Sequence, residues 1–304
     1  MKYNILTIIL SIFLMSACSN PLGGGTGYSS NGQGIDFQFM QNQPPTDELN
    51  EGQPFRTGIN LINYGLENTE VNLCLSDSLS NWVEGIPEPC KIINMEKAEV
   101  SGDKIIPYQK KIYFPGEDST YNYISIEPNM DTKIIAEAYY SFVTKAHGQI
   151  CIKRDLETET PVACEVSSQD NLESNAAPVT ISSVEKKTYP IGKNRVQLTL
   201  KFTVSNTGAG DVIDVNTVKS REVKEPKISI NVNLKGITTN FICNPVRSDG
   251  RFAFPEKTKI ITCEAPIDMK ESFVENPLEI TVGYGYKLKK TIGPITLVPK
   301  DEGF

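Results

Sequence analysis

Two short turns, Asn63-Tyr64-Gly65 and Asn206-Thr207-Gly208, lie 143 residues apart, and each closes a stretch of alternating apolar and polar residues. Before the first runs Phe55-Arg56-Thr57-Gly58-Ile59-Asn60-Leu61. Before the second runs Val196 to Val204, where Val, Leu, Leu, Phe and Val alternate with polar side chains. Alternation of period two places the apolar residues on one face of a β-strand, and Asn and Gly tolerate the positive φ of a turn. The ends of the halves match as well. Ala138–Ile152 lies ungapped on Gly283–Leu297 at an offset of 145, with Tyr139 on Tyr284, Gly148 on Gly293 and Ile150 on Ile295. A near-constant offset at both ends of a domain-sized unit predicts two diverged copies of one fold.

Further strands are expected at Ile35–Phe39, Val71–Leu75, Lys111–Phe114, Tyr121–Ile126, Lys133–Val143, Gln149–Lys153 and Val179–Val184. His147 and Gly148 read as a hairpin tip between two of them. Long amphipathic helices are absent from the pattern. Short strands separated by turn signals predict an all-β chain of two tandem immunoglobulin-like antiparallel β-sandwiches, each slightly longer than the ~100 residues usual for that domain. The first spans 35–166 and the second 179–304. The polar stretch SSQDNLESNAAP, from Ser167 to Pro178, reads as the linker between them.

Of seven cysteines, six fall into local pairs: Cys74/Cys90, Cys151/Cys164 and Cys243/Cys263. Six cysteines allow 15 connectivities. Clustering favours the local one, with hairpin-sized loops giving roughly 3 kcal/mol each in the chain-entropy model. Zinc ligation is disfavoured, since there is no C-x-x-C and His147 is the only histidine.

The seventh, Cys18, closes an N-terminal segment that is apolar from Ile5 to Met15 behind Lys2. A basic start, an apolar centre and a small-residue cleavage site make a secretory signal over 1–17. Leu14-Met15-Ser16-Ala17-Cys18 resembles the lipobox of prokaryotic lipoproteins, with Met15 standing where that family usually has Leu. The resemblance implies diacylglyceryl transfer to the Cys18 sulfur and anchoring in the lipid bilayer. Residues 18–34, SNPLGGGTGYSSNGQG after the cysteine, form a flexible tether. Net charge is −7 with a pI near 5.0, which argues against nucleic acid, a ligand that wants clustered Lys and Arg.

A Gly-Gln lead-in, an alternating strand and Asn-x-Gly, carried by Gly52, Gln53, Asn63 and Gly65, resemble the CARDB-type immunoglobulin-like domains of prokaryotic cell surfaces. In the second copy the matching residues are Gly192, Asn206 and Gly208; it lacks the Gln and its spacing is longer. The whole chain resembles archaeal and bacterial envelope lipoproteins of this plan. The likeness implies a non-enzymatic adhesion, scaffold or envelope-complex module, with another envelope protein or a glycan as partner. It brings no catalytic residues, cofactor or metal.

Other motifs point to little chemistry. Thr281-Val282-Gly283-Tyr284-Gly285 matches the potassium-channel filter letter for letter, but that filter needs spanning helices, and this stretch reads as strand. His147 can form no histidine pair, and no G-x-S-x-G is present. The acidic pairs Asp47/Glu48, Glu117/Asp118 and Asp301/Glu302 are neighbours in loops rather than carboxylates set across a cleft. Calcium could be held at Glu117/Asp118 or near Asp211 and Asp214, without EF-hand spacing to support it. Trp82, the only tryptophan, lies inside the Cys74–Cys90 loop; it packs on the disulfide or offers an aromatic contact to a ligand. Val218–Lys227 is a charged surface loop. The alternative to an adhesion or scaffold module is a ligand-binding lipoprotein, for glycan or peptide, serving a transporter or receptor.

Overall fold

A computed structural model describes residues 34–300, apart from 46, 80–84, 88, 103, 155–168, 183 and 223. The described chain is nearly all-β. The first half holds β1 (Ile35–Phe39), β2 (Glu48–Asn50), β3 (Thr57–Asn63), β4 (Thr69–Asp77), β5 (Cys90–Met95), β6 (Glu99–Ser101), β7 (Lys104–Ile106), β8 (Tyr108–Phe114) and β9 (Met130–Lys153). The second holds β10 (Gln169–Asp170), β11 (Glu173–Ser174), β12 (Val179–Ile181), β13 (Val184–Gly192), β14 (Arg195–Asn206), β15 (Asp211–Ile213), β16 (Lys227–Leu234), β17 (Ile242–Asn244), β18 (Arg251–Ala253), β19 (Thr258–Asp268) and β20 (Phe273–Val298).

A three-stranded sheet runs β1-β3-β8, and a six-stranded sheet runs β10-β13-β14-β19-β17 with β12 beside β14. A nine-stranded sheet, β18-β16-β20-β9-β4-β5, carries β2, β11 and β15 at its flanks. Strands β6 and β7 form a separate hairpin. The pairings of the two halves correspond. In the first, β3 lies between β1 and β8, and β4 between β5 and β9; in the second, β14 lies between β12 and β19, and β16 between β18 and β20.

The nine-stranded sheet is joined by its two longest strands, β9 of 24 residues and β20 of 26. They pair antiparallel from Phe273↔Lys153 to Leu297↔Met130, with one bulge between Ile292 and Ile295. At ~3.4 Å per residue, β9 alone extends roughly 80 Å. The two halves therefore share a sheet. One end of the seam is flanked by β4 and the other by β16, and each end buries its inward face under its own second sheet. Phe37, Ile59, Leu61 and Phe114 lie in the first half's core; Val196, Leu198, Leu200 and Phe202 lie in the second's.

Three expectations are corrected by this seam. The strands expected at Lys133–Val143 and Gln149–Lys153 are one strand, and His147 is no hairpin tip. Gly148 stays in the ladder opposite Leu278. Its missing side chain makes room: a Cβ there would stand 2.8 Å from the Leu172 side chain and 3.0 Å from the Asn171 carbonyl. The ungapped match at offset 145 is also one residue out. Ile134, Ala136, Ala138, Tyr140 and Phe142 are buried on β9, and Leu278, Ile280, Val282, Tyr284 and Tyr286 on β20. Both sets are even-numbered, so an odd offset turns core residues to solvent, because a one-residue slip exchanges the faces of a strand. Tyr140 answers to Tyr284, and Phe142 to Tyr286.

The stretch read as a linker is stitched in. Gln169–Asp170 pairs with β13 and Glu173–Ser174 with β9. Ala176 and Ala177 are buried, and the Pro178 carbonyl accepts from the Thr207 and Gly208 amides at 2.9 and 3.0 Å. A peptide segment beside two sheets finds partners for its backbone groups there. Tyr121–Ile126, expected as a strand, makes only a bridge from Tyr121 to Phe55. Tyr123 and Ile126 are nonetheless buried, with Tyr123 stacked on Phe55 at 5.3 Å.

The two Asn-x-Gly turns fold alike. Asn63 Nδ2 donates to the Glu67 carbonyl at 3.1 Å, and Asn206 Nδ2 to the Gly210 carbonyl at 2.8 Å. Each amide thus closes the loop four residues ahead of it.

Candidate functional site

The cysteines are staples. Cys74 and Cys90 are bonded across the non-covalently paired β4 and β5, and Cys243 and Cys263 across β17 and β19. Cys151 is also disulfide-bonded; Cys164, its expected partner, lies outside the described residues, as do Cys18 and Trp82.

His147 lies on the outward face of β9. Its Nε2 is 3.6 Å from Glu173 Oε2, with both side chains largely in solvent. Lys235 and Glu279 form a second exposed pair 3.1 Å apart beside it, and the four border an open depression of about 510 Å³. Exposed pairs of this kind contribute ~0–1 kcal/mol. Among the described residues, no three His, Cys, Asp or Glu side chains come together as metal ligands. Asp214, one of the residues considered for calcium, instead accepts from the Asn216 amide at 2.9 Å and so caps a short 3₁₀ turn at Val215–Thr217.

Thr281–Gly285 forms part of β20, in the middle of the seam. Its glycines serve packing. A Cβ on Gly283 would meet Ser229 Oγ at 2.7 Å, and one on Gly285 would meet the Asp214 and Ile213 carbonyls at 3.0 and 3.1 Å. The loop that starts at Val218 crosses the outer face of the long sheet, with Lys219 paired to Glu70 at 3.2 Å and Arg221 Nη1 3.7 Å from Cys74 Sγ. Beneath it, Glu137 accepts from the Tyr139 hydroxyl at 2.6 Å and pairs with Lys287 at 2.8 Å. Burial pushes the Glu137 carboxyl up, but these bonds and the Lys287 and Lys289 charges outweigh it and hold it below its ordinary value.

A further depression was not anticipated. It is an open groove of about 620 Å³ between the outer edge of β16 and the segment Thr239–Gly250, which includes β17. Its lining is mixed: Val232, Phe241 and Val246 are apolar, while Asn231, Asn233, Asn240 and Arg247 help to make most of the exposed lining polar. β18 pairs with β16 only at Lys227–Ser229, followed by the Ile230 amide donating to the Gly250 carbonyl at 3.0 Å. Beyond that point, Asn231–Leu234 has no strand on its outer side among the described residues. An extended ligand would find here a mixed polar and apolar lining beside the outward main-chain groups of Val232. A sequence signal for it exists: Ile228–Leu234 alternates like a strand yet carries neither the Lys nor the Pro that blunts an exposed edge.

Comparison with known proteins finds no family model and no curated protein that matches the chain.

Proposed function

We propose that this protein is a lipid-anchored, extracytoplasmic module without enzymatic activity, acting in adhesion, scaffolding or an envelope complex. Its two halves are read as diverged CARDB-type immunoglobulin-like sandwiches, raised from the membrane by the tether after an acylated Cys18. The observation that carries this reading is the disulfide-stapled double-length sheet. Such bonds persist in oxidising compartments outside the cytosol. Continuous pairing of β9 with β20 makes the two halves one stiff body, which suits a module that holds a contact at a distance from its anchor. The groove beside β16 favours the second reading, a ligand-binding lipoprotein, and favours peptide over glycan because main-chain groups are what it leaves unpaired.

The test is crosslinking in the native cells, with recovery through a C-terminal tag, and the intact mass of the recovered chain. The proposal expects one dominant envelope protein as partner and a mature N-terminus at Cys18 carrying acyl chains. An unacylated chain retained in the cytosol overturns it.

A further inference from the structure

We propose that the open edge of β16 at Asn231–Leu234 takes up an extended peptide segment of a partner protein by strand addition, with a carboxylate of that segment set against Arg247.

The backbone geometry comes first. In an antiparallel ladder, successive residues direct their N–H and C=O groups to opposite sides. Ile230 donates outward, to Gly250, and Ser229, Asn231 and Asn233 face β20. Val232 and Leu234 therefore direct theirs outward; Val232 lines the groove, whereas Leu234 lies beyond the lining and its carbonyl already accepts from the Ile237 amide at 3.3 Å. Among the described residues, nothing accepts from the Val232 amide. An added strand would find main-chain hydrogen bonds there, with Val232, Phe241 and Val246 among the lining residues its side chains could meet.

The first half shows what occupies the matching place. Leu75 of β4 corresponds to Val232 of β16, since both are buried residues of the strand flanking the seam. The Leu75 amide donates to the Pro89 carbonyl at 3.0 Å. The chain leading there is clamped by Asp77, whose Oδ2 accepts from the Ile86 amide at 2.8 Å, and Ile86 is fully buried. Lys91 then closes the opening, donating to the Tyr113 and Pro115 carbonyls at 2.6 and 2.9 Å. The position in the second half that answers to Lys91 is Gly250, and among the described residues no such segment covers the groove. The first half covers this edge with its own chain; the second leaves it for another.

Charge selects the occupant further. Arg247 is the only charged residue lining the groove. It is exposed and forms no ion pair among the described residues, in a chain of net charge −7. A carboxylate on the incoming strand complements it. Two other edges are guarded in the usual ways: β8 carries Lys110 and Lys111, and β13 carries Pro190 and a register shift.

This inference deepens the binding-module reading and rests on it, but not on the anchor. The test uses the full mature chain and end-blocked hexapeptides of alternating threonine and valine that carry one glutamate. Binding is measured by fluorescence anisotropy, and amide exchange locates the contact. The expected result is new protection at Val232 and Leu234. Affinity should fall about tenfold when the peptide amides facing the protein are N-methylated, the size of one or two lost hydrogen bonds. Replacing the peptide glutamate by lysine should weaken binding several-fold, and Arg247→Glu should reverse that preference. Val232→Pro removes the outward N–H, together with a buried side chain, and should abolish binding; the methylated peptide asks the same question with the protein unchanged. No binding, protection at another edge, indifference to N-methylation, or peptide-free dimers protected at this edge would each overturn the inference. A dominant cellular partner crosslinked elsewhere would also overturn it, and would leave the module reading standing.

Discussion

Tyr140 and Tyr284 do the same job in the two halves: each sends its hydroxyl from the long sheet to the first strand of its own second sheet. The Tyr140 hydroxyl donates to the Ile35 carbonyl at 3.4 Å, and the Tyr284 hydroxyl accepts from the Val179 amide at 3.2 Å. Ile35 opens β1 and Val179 opens β12. With Phe142 and Tyr286 they form a ring of four aromatics. Tyr140 meets Tyr286 at 5.6 Å and Phe142 meets Tyr284 at 6.2 Å across the seam; along the strands, Tyr140–Phe142 and Tyr284–Tyr286 lie at 6.1 and 6.2 Å. The four rings join both halves of the core at one place.

Removing these hydroxyls should have unequal effects. Tyr284→Phe strips the Val179 amide of its partner and takes a contact from Thr144 as well, so a loss of about 1–3 kcal/mol is expected for the orphaned buried donor. Tyr140→Phe gives up only a long bond and should cost less. Denaturant midpoints at constant slope measure both.

Gly285→Val tests the packing role of the central glycines. The added side chain would strike the backbone of Ile213 and Asp214, and overpacking of this kind costs roughly 1–3 kcal/mol. Gly148→Val should loosen the Asn171–Leu172 segment in the same manner. Limited proteolysis followed by mass mapping should place the new cleavage near 169–178.

Lys186 and Asp170 form a nearly dry ion pair at 2.8 Å, which pins the segment after 168 to β13. Lys186→Met alone leaves the Asp170 carboxylate poorly compensated and should destabilise by about 3–5 kcal/mol. Adding Asp170→Leu should recover most of that loss, since a buried pair can give way to apolar groups of similar volume at little cost. A double-mutant cycle on unfolding midpoints separates the two outcomes.

The tyrosines predict an alkaline limit. Burial raises Tyr121 and Tyr286 to about 12, and it pushes Tyr123, Tyr139, Tyr140 and Tyr284 above their ordinary value too. A pKa raised by folding contributes stability that is complete below the unfolded value near 10 and is lost as pH climbs through the folded values. Absorbance titration should therefore show these six tyrosines resisting ionisation beyond the usual range near 10. They should then ionise together with loss of the fold. Six independent titrations near 10 would contradict the packing described for the core.

Much of the fold is legible in residue patterns, and the failures have physical causes. Alternation marked β3, β4 and β14; the Asn63 and Asn206 turns are closed by their side-chain amides, and not by the positive φ expected of Asn and Gly there. The pairs Cys74/Cys90 and Cys243/Cys263 are bonded as their spacing suggested. What misled was glycine. At Gly148 it looks like a turn, whereas it clears space for a neighbouring segment. Alternating sequences also match nearly as well after a slip of one residue, so identity alone could not place Tyr139 against Tyr284 on the correct face. The groove escaped notice because it arises from a segment that covers one edge and not its counterpart, and such a difference exists only once the strands are paired.

The most direct test of the account is native-state hydrogen exchange across the β9–β20 seam. If the two halves are one stiff body, amides around Ser141 and Gly285 should open only with global unfolding, and amides of β4 and β16 should share that free energy. Exchange of one half through a separate, lower-energy opening while the other stays protected would contradict it.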